Sequence, residues 1–215
     1  MMLLGNPCIV ASIDVDAQYG FTTTCQNELP IAGGLDIVEE LNQQAKFARL
    51  RVGTKDAHPK NAVWIADKDH PPFAPLKGQH VDTYWPEHCV PGTKGFQSIQ
   101  GLPHPSEYNF FVWKGIEPDM HPYGACYHDL EEKQSTGLIE FLRNNGIKTV
   151  IIGGLATEYC VKKTSIQLRQ AGFRVFVNLG ACRGINKSTT DEAIQEMTEA
   201  GVKFIKSAKE LKANG

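Results

Sequence analysis

The chain has 215 residues, enough for one large α/β unit with a sizeable core and not clearly enough for two. Hydrophobic residues make up 41% and charged residues 21%, with 20 glycines and 12 prolines, an ordinary globular composition that excludes a disordered, fibrous or low-complexity chain. Twenty-two Lys plus Arg against 24 Asp plus Glu leave a formal net charge of -2, so electrostatics gives no reason to expect nucleic acid as a partner.

The opening MMLLGNPCIVASIDVD lacks a basic start and is broken by Asn6-Pro7 and Asp14. It reads as a first buried strand over 8–15, in an unexported, cytoplasmic protein. No apolar run approaches the roughly 20 residues that span a bilayer, so no membrane partner is expected. Leu35, Val38, Leu41 and Ala45 then recur at helical spacing, before a strand at 49–54. Residues 57–107 break the rhythm. All seven histidines, all three tryptophans and ten of the twelve prolines lie between His58 and His128, so this excursion is aromatic and stiff rather than polar and disordered. A strand at 108–113 follows. Leu138, Phe141 and Leu142 predict a helix, residues 148–153 a strand, and Val161, Thr164, Ser165 and Leu168 another helix. Residues 173–178 predict a strand, Ala193, Ile194 and Met197 a helix, and 202–205 a last strand. Ser188, three residues before Asp191, suggests a capping box, and Gly146, Gly172 and Gly201 follow the predicted helix ends. This alternation is that of βαβ units: an α/β fold in three layers, a mostly parallel sheet with helices on both faces. We expect one domain over 1–215 carrying a long structured excursion at about 57–107.

The six cysteines include no C-x-x-C pair, and a chain of this length without an export signal is expected to keep reduced thiols. In an open parallel sheet the ligand crevice lies beyond the carboxyl ends of the strands. Four reactive residues fall there: Asp16, Asp56, Lys114 and Cys160. Taken singly, each reads as readily as a loop charge, a cap or core filler; their convergence on one rim is what raises the odds of a site. Thr157 resembles an N-cap, which would put the Cys160 sulfur in a first helical turn, where the dipole favours a thiolate. Asp16 could accept its proton if burial raised the carboxyl pKa, with Lys114 holding charge in the site. Asp56 and His58, two apart in an extended segment, can face one metal ion, leaving open positions for water or substrate. His88 is the third candidate ligand, with His70 and His80 as competitors and the softer Cys89 less expected.

From about Ile9 to Met197 the chain resembles the metal-dependent nicotinamidases of the isochorismatase-like cysteine hydrolases. The motifs that carry the resemblance are DAQYGF (16–21), TKDAHP (54–59), WPEHCVPGTKG (85–95), WKG (113–115) and GLATEYCV (154–161). The third and fifth are the specific ones. Ala57 stands where the family usually has an aromatic residue, Tyr19-Gly20 where it usually has Asn-Asp, and residues 22–27 are longer and more polar than expected. The resemblance implies a catalytic triad of Asp16, Lys114 and Cys160, and a metal held by Asp56, His58 and His88. It also implies a cis bond at Leu155-Ala156 and an oxyanion hole from the N–H groups of Ala156 and Cys160, with Phe21 and Trp85 packing on the substrate ring. The activity it implies is amide hydrolysis of nicotinamide to nicotinate and ammonia, for salvage of pyridine nucleotides. The cofactor it implies is one divalent ion, zinc ranked ahead of iron and manganese. Rival readings are a relative acting on another small amide, such as a carbamoyl compound or maleamate, and a non-enzymatic redox or scaffold protein. The sequence does not set the oligomeric state, for which a homo-oligomer is one option.

Overall fold

The computed structural model describes residues 2–4 and 6–212. Among them the chain runs β1 (Met2–Leu3), β2 (Val10–Val15), α1 (Val38–Ala45), β3 (Leu50–Asp56), β4 (Phe110–Lys114), α2 (Leu138–Asn144), β5 (Thr149–Leu155), α3 (Lys162–Gln170), β6 (Arg174–Arg183), α4 (Lys187–Glu199), β7 (Lys203–Ile205) and β8 (Leu211–Lys212). Six strands form one sheet in the order β4-β3-β2-β5-β6-β7, and every neighbouring pair is parallel. Every residue of β2 and β5 is buried, as a strand covered on both faces requires.

Alternation along the strands feeds two cores. Ile13, Val150, Ile152, Val175 and Val177 meet Leu138 and Leu142 of α2, Leu168 of α3 and Met197 of α4. Val10, Ile151 and Phe176 turn to the opposite face. On that face α1 lies against β2, β5 and β6. Helices therefore cover both sides of a parallel sheet. The predicted strands and helices all occur, and Gly146, Gly172 and Gly201 follow α2, α3 and α4 with positive φ.

Three local expectations are corrected. The first strand begins at Val10, because Asn6 accepts the Cys8 N–H at 2.9 Å and winds Pro7–Ile9 into a 3-10 turn. The α4 cap is Asn186, which accepts the Ser188 N–H at 2.8 Å; Ser188 and Asp191 lie inside the helix, and Asp191 pairs with Lys187. β1 and β8 form a small parallel pair of their own that the sequence did not announce.

Residues 57–109 contain no α-helix. They fold back on themselves through single bridges, Ile65 to Trp85 and Pro75 to Thr83, around a fully buried Trp64 whose indole N–H donates to the Met120 carbonyl at 3.1 Å. No helix among the described residues is long and apolar enough to cross a membrane. All six cysteines are free.

The connections run one way from β2 to β3 and β4, and the other way from β5 to β6 and β7, so the strand order reverses between β2 and β5. In open α/β sheets that reversal opens a crevice beyond the strands' carboxyl ends.

Candidate active site

Parallel register delivers the reactive groups to that crevice. Asp56 and Lys114 are paired residues at the ends of β3 and β4. Asp16 follows β2, and Cys160 lies in the turn Thr157–Val161 between β5 and α3. Asp16 has a left-handed backbone (φ 45°), rare for a residue with a side chain. Thr54 holds it there: the threonine hydroxyl accepts the Asp16 N–H at 3.1 Å and donates to its carboxylate at 2.6 Å. The Lys114 ammonium reaches Asp16 Oδ2 at 3.1 Å and Cys160 Sγ at 3.6 Å, and also contacts Asp56 Oδ1. All four residues are buried. Asp16, Asp56 and Cys160 each place a polar atom within 4.8 Å of the others.

Burial sets the electrostatics of this cluster. It raises the Asp16 carboxyl above the usual aspartate range, against the pull of Lys114. Burial also opposes the Lys114 cation, but Asp16 and Asp56 outweigh it and hold the ammonium well above the usual lysine range. Cys160 is pushed well above a free thiol by burial, with Lys114 opposing and Asp16 and Asp56 adding to the rise. Burial thus opposes the dipole-stabilised thiolate expected from the sequence and favours the neutral thiol beside the Asp16 carboxyl. Thr157 does not cap the turn either. The N-cap is Ala156, no side chain bonds there, and 157–161 is a single wide π turn. The Leu155-Ala156 bond is cis.

Asp56 is fixed at its backbone by Gln18, whose amide accepts the Asp56 N–H at 2.8 Å and donates to the Asp56 carbonyl at 2.9 Å. Burial disfavours the Asp56 charge, but Lys114 and His58 overcome it and keep the group ionised. His58 Nδ1 faces the Gly115 carbonyl at 3.1 Å and His88 Nδ1 faces the Pro86 carbonyl at 2.6 Å. Carbonyls only accept, so each Nδ1 carries the proton and each Nε2 lone pair points elsewhere, as metal-ligating imidazoles require. His58 Nε2 lies 3.5 Å from Asp56 Oδ2 and, though buried, has no hydrogen-bond partner. Burial and the neighbouring His58 push His88 down to about 3, so its imidazole is neutral. A carboxylate and two imidazoles, one of them with a buried nitrogen unpaired among the described residues, fit a divalent ion.

His58 and His88 group with a third imidazole, His121, their ligand atoms within 4.8 Å of one another. Of the competing candidates, His70 pairs with exposed Asp67 at 3.1 Å and His80 clusters with Asp129 and Glu131. Cys89 is buried with its backbone N–H on Glu28 Oε2 at 2.9 Å. Glu28 also accounts for the departure at Gly20. A Cβ there would stand 2.4 Å from the Glu28 carboxylate and 2.7 Å from the Cys89 sulfur.

Cys160 lines a small, closely packed apolar pocket with Phe21, Trp85, His121, Tyr123, Ala156 and Tyr159 among others. Phe21 packs edge-on to His88 (centroids 5.4 Å) and Trp85 edge-on to Tyr159 (4.9 Å). The Tyr123 hydroxyl is bonded to Asp82 at 2.6 Å and takes the Trp85 indole N–H at 3.3 Å. The lining is aromatic and apolar, and the space is too small for a drug-sized molecule. Gln18, Thr54, Glu28, His121, Tyr123 and Tyr159 were not singled out from the sequence. The first three act through hydrogen bonds that no spacing encodes, while His121 carried one signal, its place in the histidine-rich stretch.

The isochorismatase domain matches residues 10–209. The chain belongs to the isochorismatase family. This family member is 33% identical over 210 residues to the nicotinamidase of Acinetobacter baylyi, covering 96% of this chain and 95% of the relative. Among solved structures, an Acinetobacter baumanii nicotinamidase pyrazinamidase superposes with a TM-score of 0.87 at 30% identity, over 95% of this chain and 98% of that one. The pyrazinamidase of Pyrococcus horikoshii, solved in complex with zinc, superposes with a TM-score of 0.74 at 31% identity, over 92% and 98%.

Proposed function

We propose that the protein hydrolyses nicotinamide to nicotinate and ammonia through a thioester on Cys160. The observation that carries this reading is the buried Lys114 ammonium, 3.1 Å from Asp16 and 3.6 Å from the Cys160 sulfur, beneath an aromatic cavity. Asp16 takes the thiol proton as the sulfur attacks the carboxamide carbon. Charge gathering on the amide oxygen meets the N–H groups of Ala156 and Cys160, such donors being worth about 3 kcal/mol each. Asp16 passes its proton to the departing nitrogen, the C–N bond breaks and ammonia leaves. A water then gives a proton to Asp16 and its oxygen to the acyl carbon. The C–S bond breaks, the sulfur recovers the proton and nicotinate departs. Lys114 keeps Asp16 in place and balances charge throughout, and Phe21 and Trp85 pack on the pyridine ring.

Asp56, His58 and His88 would hold one divalent ion, with zinc ahead of iron or manganese. When bound, it supplies a Lewis acid that engages the pyridine nitrogen and orients the ring. The zinc-bound Pyrococcus horikoshii relative supports that order. The paired imidazoles favour a pyridine substrate over a carbamoyl compound or maleamate, which offer no ring nitrogen.

The test is ammonia release from nicotinamide, pyrazinamide and maleamate, with and without chelator, by the unaltered protein and Cys160→Ala. Release from nicotinamide should fall to background in Cys160→Ala with the circular dichroism unchanged, and should drop on chelation. An unaltered rate in that variant would remove covalent catalysis. Full activity after metal stripping, with maleamate preferred, would favour the rival amidase.

A further inference from the structure

His121 is a buried imidazole with nothing to do in the steps above. Only 4% of it is exposed, and both ring nitrogens are buried without a hydrogen-bond partner. Leaving such groups unpaired is costly, and each instance in a native fold needs a reason. Its ring is held firmly. It stacks between His58 (centroids 4.9 Å, 19°) and Trp85 (5.5 Å, 6°), and its backbone N–H is tied to the His80 carbonyl at 2.9 Å. Its ligand nitrogen falls within 4.8 Å of those of His58 and His88. Among the described residues no donor or acceptor meets either nitrogen, so a neutral ring offers one lone pair toward the nitrogens of His58 and His88.

We infer that His121 is a fourth protein ligand, so that the ion is held by one carboxylate and three imidazoles; the inference rests on the metal centre proposed above. Nitrogen ligands suit borderline ions such as cobalt, nickel, copper and zinc, whereas manganese suits oxygen. This chain should therefore discriminate against manganese more strongly than a centre of one carboxylate and two imidazoles, and should leave fewer positions open for water and the substrate ring.

The probe is Co²⁺ alone, added to metal-stripped protein, with affinity measured by competition with a chromophoric chelator and the ligand set read from the visible absorption. Two variants are needed. His121→Ala removes the ring, and His121→Phe keeps the stack on Trp85 while removing both nitrogens. Each should bind Co²⁺ at least about tenfold more weakly, with an altered visible spectrum and unchanged circular dichroism. Unaltered affinity and spectrum in His121→Phe would overturn the inference and make His121 a cavity wall only. In that event His58→Ala, if it loses Co²⁺, leaves the centre itself standing. Absence of Co²⁺ binding by the unaltered protein would overturn both.

Discussion

Gly115 decides which nitrogen of His58 is left free for the proposed ion. Its carbonyl takes the His58 Nδ1 proton at 3.1 Å, and its φ of 67° lets the main chain pass directly under the ring. A Cβ at this position would stand 2.5 Å from His58 Cε1. Gly115→Ala should therefore turn the ring and weaken metal affinity by about 10- to 100-fold, the usual effect of disturbing a ligand's supporting partner. Chelator competition measures this, and unchanged affinity would show that the carbonyl does not orient His58. At this scale the sequence was informative where chemistry coincides with a strand end. Asp16, Asp56, Lys114 and Cys160 stood out because each follows an apolar run. It offered only a weak signal for His121, its place in the histidine-rich stretch, since no spacing links it to Asp56 and His58 and only the fold brings the loop after β4 beside them. At Cys160 two effects oppose each other, because a dipole argument counts one turn of backbone whereas burial counts every neighbour.

Among the elements, α1 is tied to distant parts of the chain through one carboxylate. Glu40 accepts the Ser207 hydroxyl at 2.7 Å, the Ala208 N–H at 2.7 Å and the Asn178 amide at 3.0 Å. Burial alone would raise its pKa, but these bonds outweigh it and hold the carboxyl below its ordinary value of 4.5. A depressed folded pKa contributes stability that is fully present above 4.5 and is lost as pH falls through the folded value. Thermal melts of Glu40→Gln should accordingly show a shallower loss on the acid side than the unaltered protein. Glu40→Ala should be less stable by about 1–3 kcal/mol at neutral pH, because three donors lose their acceptor. Equal acid slopes in Glu40→Gln would remove the group from the pH response. The main sheet was legible because its central strands are buried apolar runs bounded by turns. β1 and β8 were not, because two-residue strands carry no period, and the α4 cap was displaced because Asn186 and Ser188 both look like caps and only one carries the bond.

Across the whole molecule, the reversal of strand order between β2 and β5 places Asp16, Asp56, Lys114 and Cys160 on one rim, while the excursion supplies His58, His88 and Trp85. The fold class followed from the βαβ alternation. The path of residues 57–109 did not, since a segment without period encodes no register, although its rings and histidines advertised a site. Because the proposed ion binds groups from β3, the excursion and the loop after it, it should favour the folded state over the unfolded one. An ion at about 100 times its dissociation constant adds about 2.7 kcal/mol. Stripping it should lower the melting temperature by several degrees, at about 2–4 °C per kcal/mol for a chain of this size. Identical melts with and without chelator would argue that no such ion is bound.

The neutral state of Cys160 has a further consequence. Peroxide and related oxidants attack sulfur in its anionic form, and this sulfur is only 6% exposed, with burial favouring the neutral thiol; in the proposed reaction Asp16 takes its proton only once an amide is bound. Between turnovers of that reaction the thiol should oxidise slowly. The same enclosure that readies it for one reaction shields it from damage while it waits.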